Sequence, residues 1–551
     1  MKRRRLILAA FVLTIVSAVA QTKNHVIPKD QSLTRPKLVV GIVVDQMRWD
    51  FLYRYYERYG MGGFKRLLNE GFSCENVNIN YIPSFTAVGH SVIYTGSVPA
   101  FSGIVGNDFI IQATGKSMYC TQDTTVQTVG SSSTSGLMSP RNLLVTTVTD
   151  ELKLATNFRS KVVGISLKDR GGILPAGHVA DAAYWFDDAT GNWITSTYYM
   201  KDLPDWVKRF NAARYAEKYL KQDWNTLYPI STYVQSFPDN NSYEGKFAQA
   251  EVPTLPVKTS EMFSKNLGVI RNTPYGNSIT LDMAKEALDR EQLGKHTVTD
   301  FLAISLSSTD YIGHQFGPNS VEVEDTYLRL DRDLAAFFVY LDKQIGKGNY
   351  TVFLTADHGA AHNPQLLMDK NIPAGFLDGK QALKDLNTLL ETKYGIPSLV
   401  LSFINYQVNL NNILISKNNL KEDEIIADCI RFLKTWPGIA YVINMKDAQA
   451  TTMPDVLRQR IENGYHSERC GAIEIVTKPG WYQWYGNTGT THGSPYPYDT
   501  HIPLLFMGWG VNQGKSNKQH YMTDITPTVS ALLRIQTPSG SVGKVITDVL
   551  K

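Results

Sequence analysis

KLVVGIVVD, residues 37–45, carries no polar side chain between Leu38 and Val44, is rich in β-branched residues and ends on a carboxylate. An apolar run this short and without alternation reads as a strand buried on both faces. Four further runs read the same way: 161–167 (KVVGISL), 301–306 (FLAISL), 350–355 (YTVFLT) and 502–507 (IPLLFM). Helical patterns lie between them, at 142–156, 280–291, 322–344 and 524–535. The last opens with Asp524 as N-cap and Pro527 in its first turn. Strand and helix in alternation argue for an α/β fold, a parallel sheet sandwiched by helices. Two stretches interrupt the rhythm. Residues from about 187 to 276 are rich in Tyr, Trp, Asn and Pro, and those from about 363 to 486 carry strands and helices of their own, including 421–436 and 472–477. Because the core pattern resumes after each, both are expected to be insertions projecting from one domain.

The 551 residues are 43% hydrophobic and 19% charged, an ordinary globular composition that excludes disordered, collagen-like and coiled-coil proteins. Met1 is followed by Lys2, Arg3, Arg4 and Arg5, then by a mostly apolar run from Leu6 to Ala20. A basic start, an apolar stretch and the small residues Ala18 and Ala20 predict a secretory signal peptide over 1–20, cut before Gln21. The run is short of the roughly 20 apolar residues that a spanning helix needs. Without its four cations, 51 bases balance 51 acids, so the mature chain has no general reason to favour nucleic acid or an anionic membrane. Cys74, Cys120, Cys429 and Cys470 allow two disulfides in three connectivities for an exported chain, sequence neighbours being the simplest pairing. None lies in a CxxC pair, which disfavours a thiolate zinc knuckle.

The chemistry collects after the strands, where open α/β sheets bind ligands. Asp45 follows the first strand, and Asp310 and His314 follow 301–306 in SSTDYIGH. Asp357-His358-Gly359 follows 350–355, and Thr490-Thr491-His492-Gly493 precedes 502–507. Each piece alone has a bland reading, as a cap, a turn or a surface pair. Together they place three Asp and three His where one cleft collects them. Carboxylates mixed with imidazoles, and no thiolates, suit catalytic zinc, and six such ligands divide between two ions. In YIPSFTAVGHSVIYTG, residues 81–96, Pro83 and Ser84 break the chain and a helix opens at or just before Thr86. Thr86 is therefore either an N-cap or a hydroxyl aimed at an anion-binding helix terminus. His90, one turn on, reads as a packing residue.

Taken together, Asp45, Thr86, Asp310/His314, Asp357-His358-Gly and Thr-His492-Gly resemble the alkaline phosphatase superfamily. More narrowly, they are similar to its secreted, phosphate-irrepressible bacterial members with a Thr nucleophile. The resemblance follows motif order along nearly the whole mature chain. It implies a doubly wound, mainly parallel α/β core and two zinc ions per chain. One would be held by Asp310, His314 and His492, the other by Asp45, Asp357, His358 and the Thr86 oxygen. Asn107, in Gly106-Asn107-Asp108, matches the residue that donates to a non-bridging phosphoryl oxygen, and diesterase relatives share it. Lys168-Asp169-Arg170, directly after strand 161–167, matches the Lys-x-Arg pair of the monoesterases. A phosphate monoester brings two negative charges and a diester one, so this pair favours a monoester. No Cys-x-Pro-x-Arg or Ser-x-Pro-x-Arg is present for a sulfatase nucleophile.

The expected function is a periplasmic or secreted, zinc-dependent phosphate monoesterase acting through phospho-Thr86. Its partners would be small phosphate monoesters, with no obligatory nucleic acid, no membrane after signal cleavage, and a monomeric chain. The alternatives are a phosphodiesterase or nucleotide pyrophosphatase of the same superfamily, and a non-catalytic envelope protein that binds zinc or phosphate.

Overall fold

Strand β1, Leu38–Val44, is buried along its whole length, as a run without polar side chains requires. In the computed structural model, which describes residues 34–551 apart from 248, 249, 265 and 485, it lies inside a ten-stranded sheet. The signal-peptide segment 1–20 lies outside the described residues. The other strands of this sheet, in chain order, are β2 (Phe72–Asn78), β3 (Thr128–Val129), β4 (Val162–Ser166), β5 (Ala182–Asp187) and β6 (Asn192–Ser196), followed by β7 (Asp300–Leu306), β8 (Tyr350–Thr355), β9 (His501–Gly508) and β10 (Gly514–Tyr521). Their spatial order is β10-β2-β9-β8-β1-β7-β4-β5-β6-β3. The centre is parallel: β1 pairs with β8 and β7, β7 with β4, and β4 with β5. Each buried Val, Ile or Leu there contributes roughly 1.5–3 kcal/mol by leaving water.

All five apolar runs are strands, displaced by at most a residue or so. The 502–507 run, however, is antiparallel to both β8 and β2. Chain direction is not written in an apolar run, and the long excursion after β8 lets β9 return from the opposite end. The helices that frame the site are α1 (Thr86–Thr95), α2 (Val148–Ala155), α3 (Asp169–Ala176), α4 (Tyr275–Arg290), α5 (Ser308–Phe316), α6 (Val321–Ile345) and α7 (Ile525–Leu533). Helices α1, α2, α3 and α7 pack together, with α3 on β4, β5 and β7. The α4, α5 and α6 group packs against β4 and β7 through α4. Helix α2 is shorter than the 142–156 pattern, because a capping box between Thr147 and Asp150 starts it at Val148. Asp524 does occupy the N-cap of α7, but its carboxylate accepts from the backbone N–H groups of Tyr521 and Lys544 instead of capping the helix.

Residues 187–276 supply strand β6 and deliver Trp193, Trp206, Phe210, Trp224 and Ile270 to the main core. Residues 363–486 include a separate four-stranded sheet, Val400–Ile404, Gln407–Leu410, Ile473–Thr477 and Ile439–Asn444, with its own hydrophobic cluster around Leu386, Phe403, Ile425 and Ile475. The expected disulfides are absent. All four cysteines are free and buried, Cys74 in the main core and Cys429 in the core of the four-stranded sheet, so the neighbour pairing does not form. No helix among the described residues is long and apolar enough to cross a membrane.

Candidate active site

Parallel pairing brings the ends of β1, β7 and β8 to one edge. The N–H of Asp45 donates to the Leu306 carbonyl, 3.1 Å, which ties the first strand end to the second. Thr309 Oγ1 donates to the Asp45 carbonyl at 2.6 Å, and Ser305 Oγ to Asp45 Oδ1 at 2.9 Å. Asp310 and His314 lie on one face of α5, with His314 Nε2 3.2 Å from Asp310 Oδ1. His492 Nε2 lies 3.7 Å from the same oxygen, so Asp310, His314 and His492 form one group with metal-ligand spacing.

A second group lies deeper. Asp45 and Asp357 flank His90, whose Nε2 is 3.4 Å from Asp45 Oδ1 and whose Nδ1 is 3.5 Å from Asp357 Oδ2. His358 Nε2 is 3.2 Å from Asp357 Oδ2 and 3.4 Å from Thr86 Oγ1. Thr86 is the first residue of α1 and Phe85 holds the cap position without a side-chain bond, so Thr86 is not the N-cap. The helix reaches the Asp357 turn because residue 89 is Gly: a Cβ there would sit 2.4 Å from the Asp357 carbonyl oxygen. The rings of His358 and His492 stack with centroids 3.4 Å apart, so the two groups adjoin.

Four histidines share one device. Nδ1 of His314 lies 2.8 Å from the Thr490 carbonyl, that of His492 2.7 Å from Ser84, that of His358 3.0 Å from Gly359 and that of His90 2.8 Å from Thr86. A carbonyl only accepts, so each Nδ1 carries a proton and each Nε2 is the atom turned towards the carboxylates, where its lone pair is available once the ring carries no second proton. Among the described residues, the buried atoms Asp357 Oδ2 and His90 Nε2 have no hydrogen-bond partner. Buried polar atoms without partners cost about 1–3 kcal/mol each, which a bound cation relieves. The donor set thus fits metal ions. Burial drives the pKa of His492 well below the ordinary value, helped by His358 and His314. Burial also pulls His358 down, but Asp357 outweighs it and holds His358 at about 9. A cation would displace that proton, since metal binding releases protons from its ligands.

Lys168, at the end of β4, links the groups. Its Nζ donates to Asp45 Oδ2 at 3.0 Å and to Asp310 Oδ2 at 2.5 Å, and only 2% of the residue is exposed. Burial opposes its charge, but Asp310 and Asp45 keep it protonated. Asp45 in turn is held down at about 2, against its own burial, by Lys168 and His90. Arg170 forms no ion pair among the described residues: Nη1 donates to the Tyr119 hydroxyl at 3.0 Å, and buried Nε has no partner. Tyr119 donates onward to Asp169 Oδ1 at 2.9 Å. Asn107 Oδ1 accepts the Ala87 N–H at 3.0 Å, which leaves its Nδ2 donors free of that bond beside Thr86.

Every residue read as a site candidate therefore falls in this one region. The sequence reading missed two. His90 is wedged between two carboxylates, and its one-turn spacing from Thr86 was the available signal. Tyr119 arrives on a hairpin strand, Lys116–Tyr119, and no local pattern connects it with Arg170.

A mainly parallel sheet with helices on both faces and two adjoining carboxylate–imidazole groups at its strand ends defines the alkaline phosphatase-like class of α/β proteins. The chain belongs to the type I phosphodiesterase / nucleotide pyrophosphatase family, whose model matches residues 39–499, within the alkaline phosphatase superfamily. It is 56% identical over 545 residues to a protein of Myroides odoratus named calcium-transporting ATPase, covering 98% of this chain and 100% of that one. It is 53% identical over 554 residues to the alkaline phosphatase PhoV of Synechococcus elongatus, covering both chains fully. To the alkaline phosphatase PafA of Elizabethkingia meningoseptica it is 51% identical over 541 residues, 98% of each chain. A crystal structure of wild-type PafA matches with a TM-score of 0.93, covering 94% of this chain and 100% of that one at 52% identity.

Proposed function

We propose that this protein is an exported alkaline phosphatase, a zinc-dependent hydrolase of small phosphate monoesters that works through a phospho-threonine at Thr86. The observation that carries the reading is the cation pair Lys168 and Arg170 at the end of β4, beside a hydroxyl flanked by two metal-ligand groups. Similarity over the full chain to PhoV and PafA supports it. In this reading Asp310, His314 and His492 hold one zinc ion, and Asp45, Asp357, His358 and the Thr86 oxygen hold the other, with His90 bracing the two carboxylates. Bound zinc supplies Lewis acidity, which favours the alkoxide form of a hydroxyl and neutralises charge on a departing oxygen.

The chain's own groups do the rest. Thr86 Oγ1 attacks phosphorus, the ester oxygen leaves with the alcohol, and water then cleaves the phospho-threonine. Two in-line displacements give overall retention at phosphorus. Asn107, fixed by the Ala87 amide, turns its Nδ2 to a non-bridging oxygen. Arg170, steadied through one nitrogen by Tyr119, offers its remaining donors to a second, and Lys168 adds a point charge. The reading carries over hydrolysis, the activity these groups are equipped for, rather than the transport in the name of the Myroides odoratus protein. It also includes a signal peptide over 1–20, a periplasmic or secreted location and a monomeric chain.

The rival is a phosphodiesterase, the activity in the family's own description. Hydrolysis of matched aryl monophosphates and alkyl aryl phosphodiesters by the purified mature protein decides between them. A kcat/KM higher for the monoester supports the proposal, and a higher value for the diester overturns it.

A further inference from the structure

Gln46 stands directly after Asp45 and belongs to neither metal-ligand group, yet it bonds to both. Its backbone N–H donates to Asp357 Oδ1 at 3.0 Å, and its side-chain Nε2 donates to Asp310 Oδ1 at 2.7 Å. Two further features single out the position. Gln46 holds a φ of 62°, in the left-handed region that side chains other than Asn, Asp and His seldom enter, and only 3% of the residue is exposed. A residue keeps such a backbone where its surroundings over-determine it. Helix α5 makes room for the amide, since a Cβ on Gly313 would lie 1.9 Å from Gln46 Oε1.

Each contact decides which carboxylate oxygen is left for a cation. Asp357 Oδ1 accepts from the backbone N–H groups of Gln46 and His358, both at 3.0 Å, and Oδ2 stays bare beside His90 and His358. Asp310 Oδ2 accepts from Lys168 Nζ, whereas Oδ1 lies 3.2 Å from His314 Nε2 and 3.7 Å from His492 Nε2. An ionised carboxylate oxygen offers two acceptor sites. With Gln46 Nε2 on one, Asp310 Oδ1 keeps the other for the imidazole side. Partners that orient a metal ligand in this way typically change metal affinity about 10–100-fold.

We propose that Gln46 is a positioning residue: its side-chain amide sets the Asp310 ligand oxygen for the ion of Asp310, His314 and His492, while its backbone ties that group to Asp357. The inference rests on the two-ion reading of the proposed function and not on which ester is hydrolysed. Because the side chain serves one group alone, changes to it should weaken one ion and spare the other.

Zinc competition between the full mature protein and a chromogenic chelator tests this, with anomalous scattering from crystals at limiting zinc assigning each affinity to its group. Gln46→Asn suits the left-handed turn better than Gln but is one methylene short of Asp310. It should weaken the ion of Asp310, His314 and His492 by ~10–100-fold and leave the other within ~3-fold. Gly313→Ala favours the helix by propensity, yet its methyl pushes the Gln46 amide away, so it should weaken the same ion without altering Gln46 or any ligand. It also decides the matter should Gln46→Asn fold poorly. With zinc saturating, kcat/KM of Gln46→Asn should fall ~10-fold further for an alkyl phosphate than for an aryl phosphate, whose better leaving group needs that ion less. Three results overturn the proposal: parent-like zinc affinities in the folded variants, equal weakening of both ions, or weakening of the ion of Asp45 and Asp357 alone. A parent that holds two zinc ions yet cleaves no monoester would sink the phosphatase reading, and the zinc competition would still decide for or against Gln46.

Discussion

The two halves of the candidate site differ in depth. The side chains of Asp45, His90, Asp357 and His358 are wholly buried, whereas His314 in the other half leaves 28% of its side chain exposed and stacks its ring against Trp484, centroids 5.9 Å apart. The deep half is built on strand ends and on a helix that needs Gly89 to approach. The shallow half joins α5 to the loop of His492. In the proposed function, the covalent step at Thr86 would fall in the deep half, where geometry is fixed by the sheet. Departure and arrival of groups belong at the shallow half, which meets solvent.

The largest effect expected is from chelation, which should abolish phosphatase activity reversibly and in two phases, the shallow ion leaving first. Zinc content followed beside activity measures it; loss of both ions at one rate would erase the difference between the halves. Thr86→Ala removes a hydroxyl from the deep half only. Its kcat/KM should fall by on the order of 10³ or more, with both zinc ions retained, and Thr86→Ser should keep substantial activity. Parent-like turnover in Thr86→Ala would move the nucleophile elsewhere.

Lys168 touches both halves, so its loss tests how far they act together. Charge-assisted hydrogen bonds contribute roughly 1.5–3 kcal/mol each, so Lys168→Ala/Arg170→Ala should lower monoester kcat/KM by about 10²–10⁴. Diester hydrolysis should fall much less; equal losses would make the pair a support for structure alone. Tyr119→Phe is the mildest. It removes the hydroxyl that accepts from the Arg170 guanidinium and donates to the Asp169 carboxylate but leaves Arg170 its charge and its other donors, and should cost about fivefold on monoesters, ~1 kcal/mol, with little change on diesters.

The sequence discloses these two halves unequally, for physical reasons. Strands β1, β4, β7 and β8 are buried on both faces, so their side chains alone reveal them; the residues after β1, β7 and β8 are the candidate metal ligands, and those after β4 are the Lys168 and Arg170 cations. Strand β10, GKSNKQHY, is an edge held by backbone bonds, with no side-chain periodicity to betray it. Strand β2, FSCENVN, carries polar residues through a mostly buried position and is similarly silent. Thr86, Asp357 and His492 stood out because breakers or a strand frame them. His90 did not, since one helical turn serves packing and ligation alike. Tyr119 meets Arg170 only through tertiary folding.

The four thiols lead somewhere else. Being buried and unbridged, they leave the native protein a single redox species whether its surroundings are oxidising or reducing. In its thiols the folded molecule keeps no covalent record of where it matured. Chain lacking residues 1–20 made in a reducing cytosol and mature chain made outside it should therefore be alike in their thiols, interchangeable without an oxidase, an isomerase or a reductant.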